Sequence, residues 1–100
     1  MTAQEALNEI NNYILENGGE YSKWYVGITS DPEDRLFNSH RVNKDSPTWV
    51  YCSCVSSTAA RNVESYFLEK QRTLGGQGGG DDTAIYVYAY KTNPYTVETV

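Results

Sequence analysis

The sequence predicts an α/β domain of mixed, α+β-like character: one three-stranded sheet with helices packed on it, in the order α-β-α-β-α-β. Three observations predict it. Apolar residues recur at helical spacing near the start and again after residue 56, and runs of aromatic and β-branched residues stand at 23–28, 48–55 and 84–92. A length of 100 residues then allows one core and not two, so the whole chain, 1–100, reads as a single domain.

Residues 3–16 carry Ala6, Leu7, Ile10, Tyr13 and Ile14, the stripe of an amphipathic helix, which Asn17, Gly18 and Gly19 end. KWYVGI, residues 23–28, is the first strand. Asp31 is placed as an N-cap with Pro32 at the first helical position, so a short second helix should carry Asp34, Arg35, Leu36 and His40. Residues 43–47 form a turn, and TWVYCSCV, residues 48–55, is the second strand. Ser56 to Thr58 cap a third helix whose apolar face includes Ala60, Val63, Phe67 and Leu74. GGQGGGDD, residues 75–82, is a loop. It lacks the lysine of a phosphate-binding loop and precedes a strand, so it reads as a tether. In AIYVYAYKT, residues 84–92, Ile85, Val87 and Ala89 fall on one face and Tyr86, Tyr88 and Tyr90 on the other. Residues 93–100 read as a loose tail. The first two strands should run parallel across a right-handed crossover, and the last strand either adds in parallel at an edge or inserts between them antiparallel.

Composition bounds the function. Hydrophobic residues at 39% and charged residues at 21% suggest neither disorder nor a membrane protein. No apolar stretch has membrane-spanning length, and no basic segment followed by an apolar run opens the chain, so a cytoplasmic location without a membrane partner is expected. Cys52 and Cys54 alternate along a strand toward the same face, a poor geometry for a disulfide and a weak zinc signal, so both read as reduced thiols. The formal net charge of -5 counts against tight sequence-independent DNA binding, although Arg35, His40, Arg41 and Lys44 form a local basic strip. Nine tyrosines suit half-buried strands and surfaces that touch a polar partner.

From Trp24 to His40 the chain reads WYVGITSDPEDRLFNSH. The ordered set YVGIT, five residues, RLxxxH, then a strand, then AxxxE in AARNVESYFLE resembles the GIY-YIG nuclease superfamily over residues 24–74. Tyr25-Val26-Gly27 is similar to its YIG element, and Thr29, Arg35, His40 and Glu64 fall at the family's places. No GIY-like strand precedes Tyr25 by about ten residues. The resemblance therefore implies that IYVYAY supplies the missing strand by circular permutation, central and antiparallel, with Tyr88, at its middle, chosen over Tyr86 and Tyr90 as the first-motif tyrosine. It further implies metal-dependent phosphodiester hydrolysis on nucleic acid. Glu64 would hold Mg²⁺ or Mn²⁺, Arg35 would contact the phosphate, and Tyr25 and His40 would position or deprotonate the nucleophile. The family's late asparagine has Gln77 or Asn93 as candidates, and Asp81 or Asp82 would add a metal carboxylate if the loop folds over the cleft.

Each residue also has a structural reading. Glu64 lies three residues after Arg61 and could form a solvent-facing helical pair. Arg35 could complement Asp31 or Asp34, and Tyr25 and His40 could be satisfied core groups. Arg35 and His40, five residues apart, stand roughly 140° apart on an ideal helix. The alternative function is therefore a catalytically inactive module of this kind that binds a protein or nucleic-acid partner, with a homodimer as a further possibility.

Overall fold

Thr2 opens the first helix with a reciprocal cap. Its hydroxyl accepts from the Glu5 amide at 3.2 Å while the Glu5 carboxylate accepts from the Thr2 amide at 2.9 Å. The computed structural model describes residues 1–76 and 81–99, and in it α1 spans Ala3–Glu16 and buries Ala6, Ile10 and Ile14. Gly18 and Gly19, at φ 114° and 71°, turn the chain out of the helix in a region closed to most side chains. Thr2→Ala should cost about 1 kcal/mol, read as a lowered urea midpoint at unchanged slope.

Three strands follow: β1 (Trp24–Thr29), β2 (Trp49–Ser53) and β3 (Tyr86–Lys91), with α2 (Ser57–Glu69) between the last two. The sheet order is β1-β3-β2, and β3 is antiparallel to both neighbours. Of the two arrangements left open by the strand pattern, the central one is observed. The first two strands are therefore parallel to each other with β3 between them. Register places Tyr25 and Trp49 opposite Tyr90, and Gly27 and Tyr51 opposite Tyr88.

Alternation sorts the strands into two faces. Trp24, Val26, Ile28, Cys52, Val87 and Ala89 face the helices and join Ala6, Ile10, Ile14, Ala60, Val63 and Phe67 in the main core. Tyr25, Tyr88 and Tyr90 lie on the opposite face in a second cluster with Leu36 and Val42, and Phe37, Trp49 and Tyr51 pack around it. Cys52 and Cys54 are buried and free, and burial pushes the Cys52 thiol up to about 11.

Ser56 caps α2 as expected, its hydroxyl accepting from the Ala59 amide at 3.1 Å. Two sequence-based expectations need correction. The helix ends at Glu69, so Leu74 is not on its apolar face: the Thr73 amide turns back to the Phe67 carbonyl, and Arg72 adopts φ 60°. Leu74 is half exposed, and its backbone pairs in parallel with the outer edge of β1, donating to the Trp24 carbonyl and accepting from the Val26 amide. That bridge covers part of an edge that would otherwise be unpaired. Nor is the C-terminal segment loose. The Val97 amide donates to the His40 carbonyl at 2.8 Å and holds the segment against the tyrosine face. Within the expected loop 75–82, residues 77–80 lie outside the described residues, Gln77 among them. Among the described residues, no helix is long and apolar enough to cross a membrane.

Candidate functional site

The connection after β1 shapes the site. Asp31 caps the turn that follows, its carboxylate accepting from the Asp34 amide at 3.2 Å, and Pro32 sits inside the cap. The chain does not continue as an α-helix. Residues Asp34–Ser39 are wound more widely about the axis, and the His40 amide donates to the Arg35 carbonyl at 2.9 Å, an i→i+5 bond. Such π turns are rare and concentrate at functional sites. Here the wider winding narrows the angular separation that an α-helix imposes on Arg35 and His40. Arg41, at φ 59°, then ends the turn.

His40 is fully buried on the tyrosine face. Its Nε2 is 2.8 Å from the Tyr88 hydroxyl and its Nδ1 is 2.6 Å from the Val97 carbonyl oxygen. Tyr25 packs on the same ring at 4.6 Å between centroids and stacks on Tyr90 at 5.3 Å and Tyr88 at 6.2 Å. Burial is the main reason the His40 ring is held below its ordinary pKa. The Val97 carbonyl opposes the shift, Arg35 adds to it and Glu98 opposes it. The imidazole is therefore neutral at pH 7 and serves as a hydrogen-bond acceptor at one nitrogen.

Gly27 explains why Tyr88 reaches His40. The Tyr88 phenol lies directly over Gly27, so close that a Cβ there would fall 2.5 Å from the hydroxyl oxygen. Glycine inside a strand usually marks such an approach, and here the space left by its missing side chain is filled by a tyrosine ring.

Arg35 and Glu64 bring charge to the same phenols. Burial raises the Tyr25 hydroxyl pKa, Arg35 pulls it down, and Glu64 raises it again. Burial likewise drives Tyr88 well up, against a hydrogen bond from Arg35, and Glu64 adds to the rise. Glu64 itself is 3% exposed, which overturns the reading of a solvent-facing pair with Arg61. Its carboxyl is pushed up to about 7 by burial, with the Arg61 charge acting against the shift. Asp34 is engaged by Asn38 at 2.8 Å and Asp31 by its cap, while the Arg35 charge acts on Tyr25 and Tyr88. Tyr25, His40 and Tyr88 thus meet on one face, Arg35 is bonded to the Tyr88 hydroxyl, and the Glu64 charge acts on both phenols.

Of the three final-strand tyrosines, Tyr88 is the one bonded to His40 Nε2 and to Arg35. Tyr90 sits on the Nδ1 side, 3.0 Å from that nitrogen, and Tyr86 packs edge-on against Tyr51, away from the imidazole. Tyr90, weighed and passed over in favour of Tyr88, joins the site together with Val97 and Glu98, which were not singled out. For Tyr90 the shared face with Tyr88 was a signal; for Val97 and Glu98 the sequence carries none. Asn93 is exposed and its side chain accepts from the Tyr95 amide, so it is occupied in a surface turn. Asp81 accepts from the Thr83 amide and hydroxyl in another.

Among the described residues, no group of three or more His, Cys, Asp or Glu is placed to hold a metal. Glu64 is a single buried carboxyl whose charged form is disfavoured by burial. Mg²⁺ and Mn²⁺ accept one protein carboxylate when water and phosphate oxygens complete the shell. The geometry defines a small α+β protein with a buried tyrosine-histidine cluster, with the Arg35 guanidinium and the Glu98 carboxyl bonded to its phenols and the Glu64 charge acting on two of them. Compared with models of known families, with curated proteins and with solved structures, the chain matches none of them.

Proposed function

We propose that this chain is a divergent, circularly permuted GIY-YIG-type domain that hydrolyses phosphodiester bonds in nucleic acid with Mg²⁺ or Mn²⁺ held at Glu64. The observation that carries the reading is the action of Arg35 and Glu64 on the same two phenols, Tyr25 and Tyr88, with His40 directly behind Tyr88. Phosphoryl transfer asks for little covalent chemistry from a protein. It asks for a held phosphate, compensated charge and a route for one proton.

Arg35 supplies the first through its planar fork, and the Tyr25 hydroxyl lies within the same field. Glu64 would hold a divalent ion, which would supply charge compensation to the phosphate oxygens. The proton route runs through Tyr88. Its pKa is driven up, so a standing phenolate is excluded at neutral pH. Tyr88 can instead pass its own proton to His40 Nε2 while taking one from the attacking water, which leaves the phenol neutral and creates an imidazolium. The Val97 carbonyl and Glu98 both favour that cation.

The test is incubation of single-stranded and duplex DNA and RNA with Mg²⁺ or Mn²⁺, with Arg35→Ala and Glu64→Gln as controls. Wild type should cleave at least one substrate and each variant should be slower by about 100-fold or more. Equal rates for all three would remove these residues from the mechanism. A second reading, an inactive module of the same kind that binds a protein or nucleic-acid partner, is favoured by the full burial of His40 and near-full burial of Tyr88, and by the net charge of -5. Binding without cleavage by wild type on every substrate and ion would select it.

A further inference from the structure

The last described residues reach the site through one imidazole, and the direction of each proton there can be worked out from the outside inward. The Val97 carbonyl oxygen lies 2.6 Å from His40 Nδ1, and a carbonyl only accepts, so Nδ1 must carry the ring hydrogen. The Tyr90 hydroxyl is 3.0 Å from the same nitrogen and 3.0 Å from a Glu98 carboxylate oxygen. With Nδ1 already a donor, the Tyr90 oxygen accepts from it and gives its own single proton to Glu98 at 3.0 Å, the nearer and charged acceptor, rather than to the Val97 carbonyl at 3.4 Å. Burial and that donation both drive the Tyr90 pKa far up, so the proton stays in place. Nε2 is left with a bare lone pair, and the Tyr88 hydroxyl, 2.8 Å away, has to donate to it.

Had Glu98 been absent, Tyr90 could turn its proton toward Nδ1. The ring would then carry its hydrogen on Nε2, and the bond to Tyr88 would reverse. The Val97 carbonyl opposes this alternative, but it hangs on the same short segment as Glu98 and is tied to His40 only by one further backbone bond, Val97 amide to His40 carbonyl.

We infer that Glu98, acting through Tyr90 and together with the Val97 carbonyl, is a positioning residue that fixes His40 as the Nδ1–H tautomer and thereby aims the Tyr88 proton at Nε2. The orienting acceptor is thus placed two side chains away from the phenol it controls, with a tyrosine as relay. The segment that carries it is part of the site. The consequence for cleavage rests on the proposed function; the tautomer does not.

His40 is the only histidine, so its ring ¹⁵N resonances need no assignment. Long-range ¹H–¹⁵N spectra of the full chain at pH 7 should show wild type with hydrogen on Nδ1 alone. Glu98→Ala and Tyr90→Phe should move the ring toward the Nε2–H form, and Glu98→Gln, which keeps an acceptor oxygen for Tyr90, should restore part of the wild-type pattern. In the cleavage assay Glu98→Ala should lower kcat by about tenfold or more with KM unchanged, an effect suited to a misdirected proton. A wild-type ring with hydrogen on Nε2, or an unshifted tautomer in Glu98→Ala, would overturn the inference. If wild type cleaves nothing, the nuclease reading fails while the spectra still decide this one.

Discussion

Gly27→Ala is expected to destabilise the protein by about 2–4 kcal/mol, combining overpacking in a closed site with a displaced buried hydrogen bond. The added Cβ would fall 2.5 Å from the Tyr88 hydroxyl oxygen, 2.7 Å from Cζ and 2.9 Å from Cε1, distances that real Cβ contacts do not reach. A long side chain on the surface would swing aside. Tyr88 is 1% exposed and tied through its hydroxyl to His40 Nε2 at 2.8 Å, so the ring cannot move without breaking that bond. Working against this cost is the ordinary gain from replacing glycine in a strand, about 0.5–1 kcal/mol, and it is too small to offset it. Urea melts of Gly27→Ala, Tyr88→Ala and the double variant make the check. If the clash is the cause, removing the Tyr88 ring relieves it, and the double variant should be at least about 1 kcal/mol more stable than the two single costs predict. Additive costs, or an unchanged midpoint in Gly27→Ala, would show that the ring does not depend on the missing side chain.

Much of the fold was legible because period and punctuation agree. Asp31-Pro32 and Ser56 mark helix starts by supplying an acceptor to amides that have none, and both act so in the structure. Alternation in the last strand separates Val87 and Ala89 from the tyrosines because successive strand residues point to opposite sides. The pattern leaves the place of that strand open between edge and centre; register with two neighbours decides it, and register is a long-range property. The Thr2-Glu5 box was equally readable, a Thr followed three residues later by Glu, yet its signal is easily lost beside the stronger apolar stripe.

The site was less legible, for identifiable reasons. Helical angles computed at 100° per residue keep Arg35 and His40 apart, and nothing in DRLFNS announces i→i+5 winding. Leu74 is apolar and continues the helical count, but Arg72 enters the left-handed region and the residues beyond it pair with a strand edge. The largest omission is the C-terminal segment. Val97 and Glu98 belong to a short, turn-rich stretch that by composition resembles a frayed end, and they are held by one histidine and one tyrosine, 57 and eight residues away. Sequence distance hides such partners. What links the legible and hidden parts is Gly27: it admits Tyr88, Tyr88 reaches His40, and His40 anchors the segment carrying Glu98.

Glu64→Gln should reverse the usual expectation for removing a charged residue and stabilise the protein above pH 7. In the folded chain the Glu64 carboxyl titrates at about 7, because burial penalises its charged form more than Arg61 favours it. In the unfolded chain the carboxyl titrates as an ordinary glutamate, near 4.5. Between those two values the folded state binds the extra proton, so this group's contribution to stability falls as pH rises from 4.5 to about 7 and is fully unfavourable above it. A shift of that size corresponds to about 3 kcal/mol as a ceiling. Glutamine has the same shape and no charge to bury. The variant should therefore melt with wild type below pH 4.5 and exceed it increasingly up to pH 8. An ion at Glu64 would compensate the buried charge, so millimolar Mg²⁺ at pH 8 should raise the wild-type Tm and leave Glu64→Gln unmoved. Parallel stability curves for the two proteins from pH 4 to 8 would mean that the carboxylate is well solvated. An identical response of both to Mg²⁺ would place the ion elsewhere.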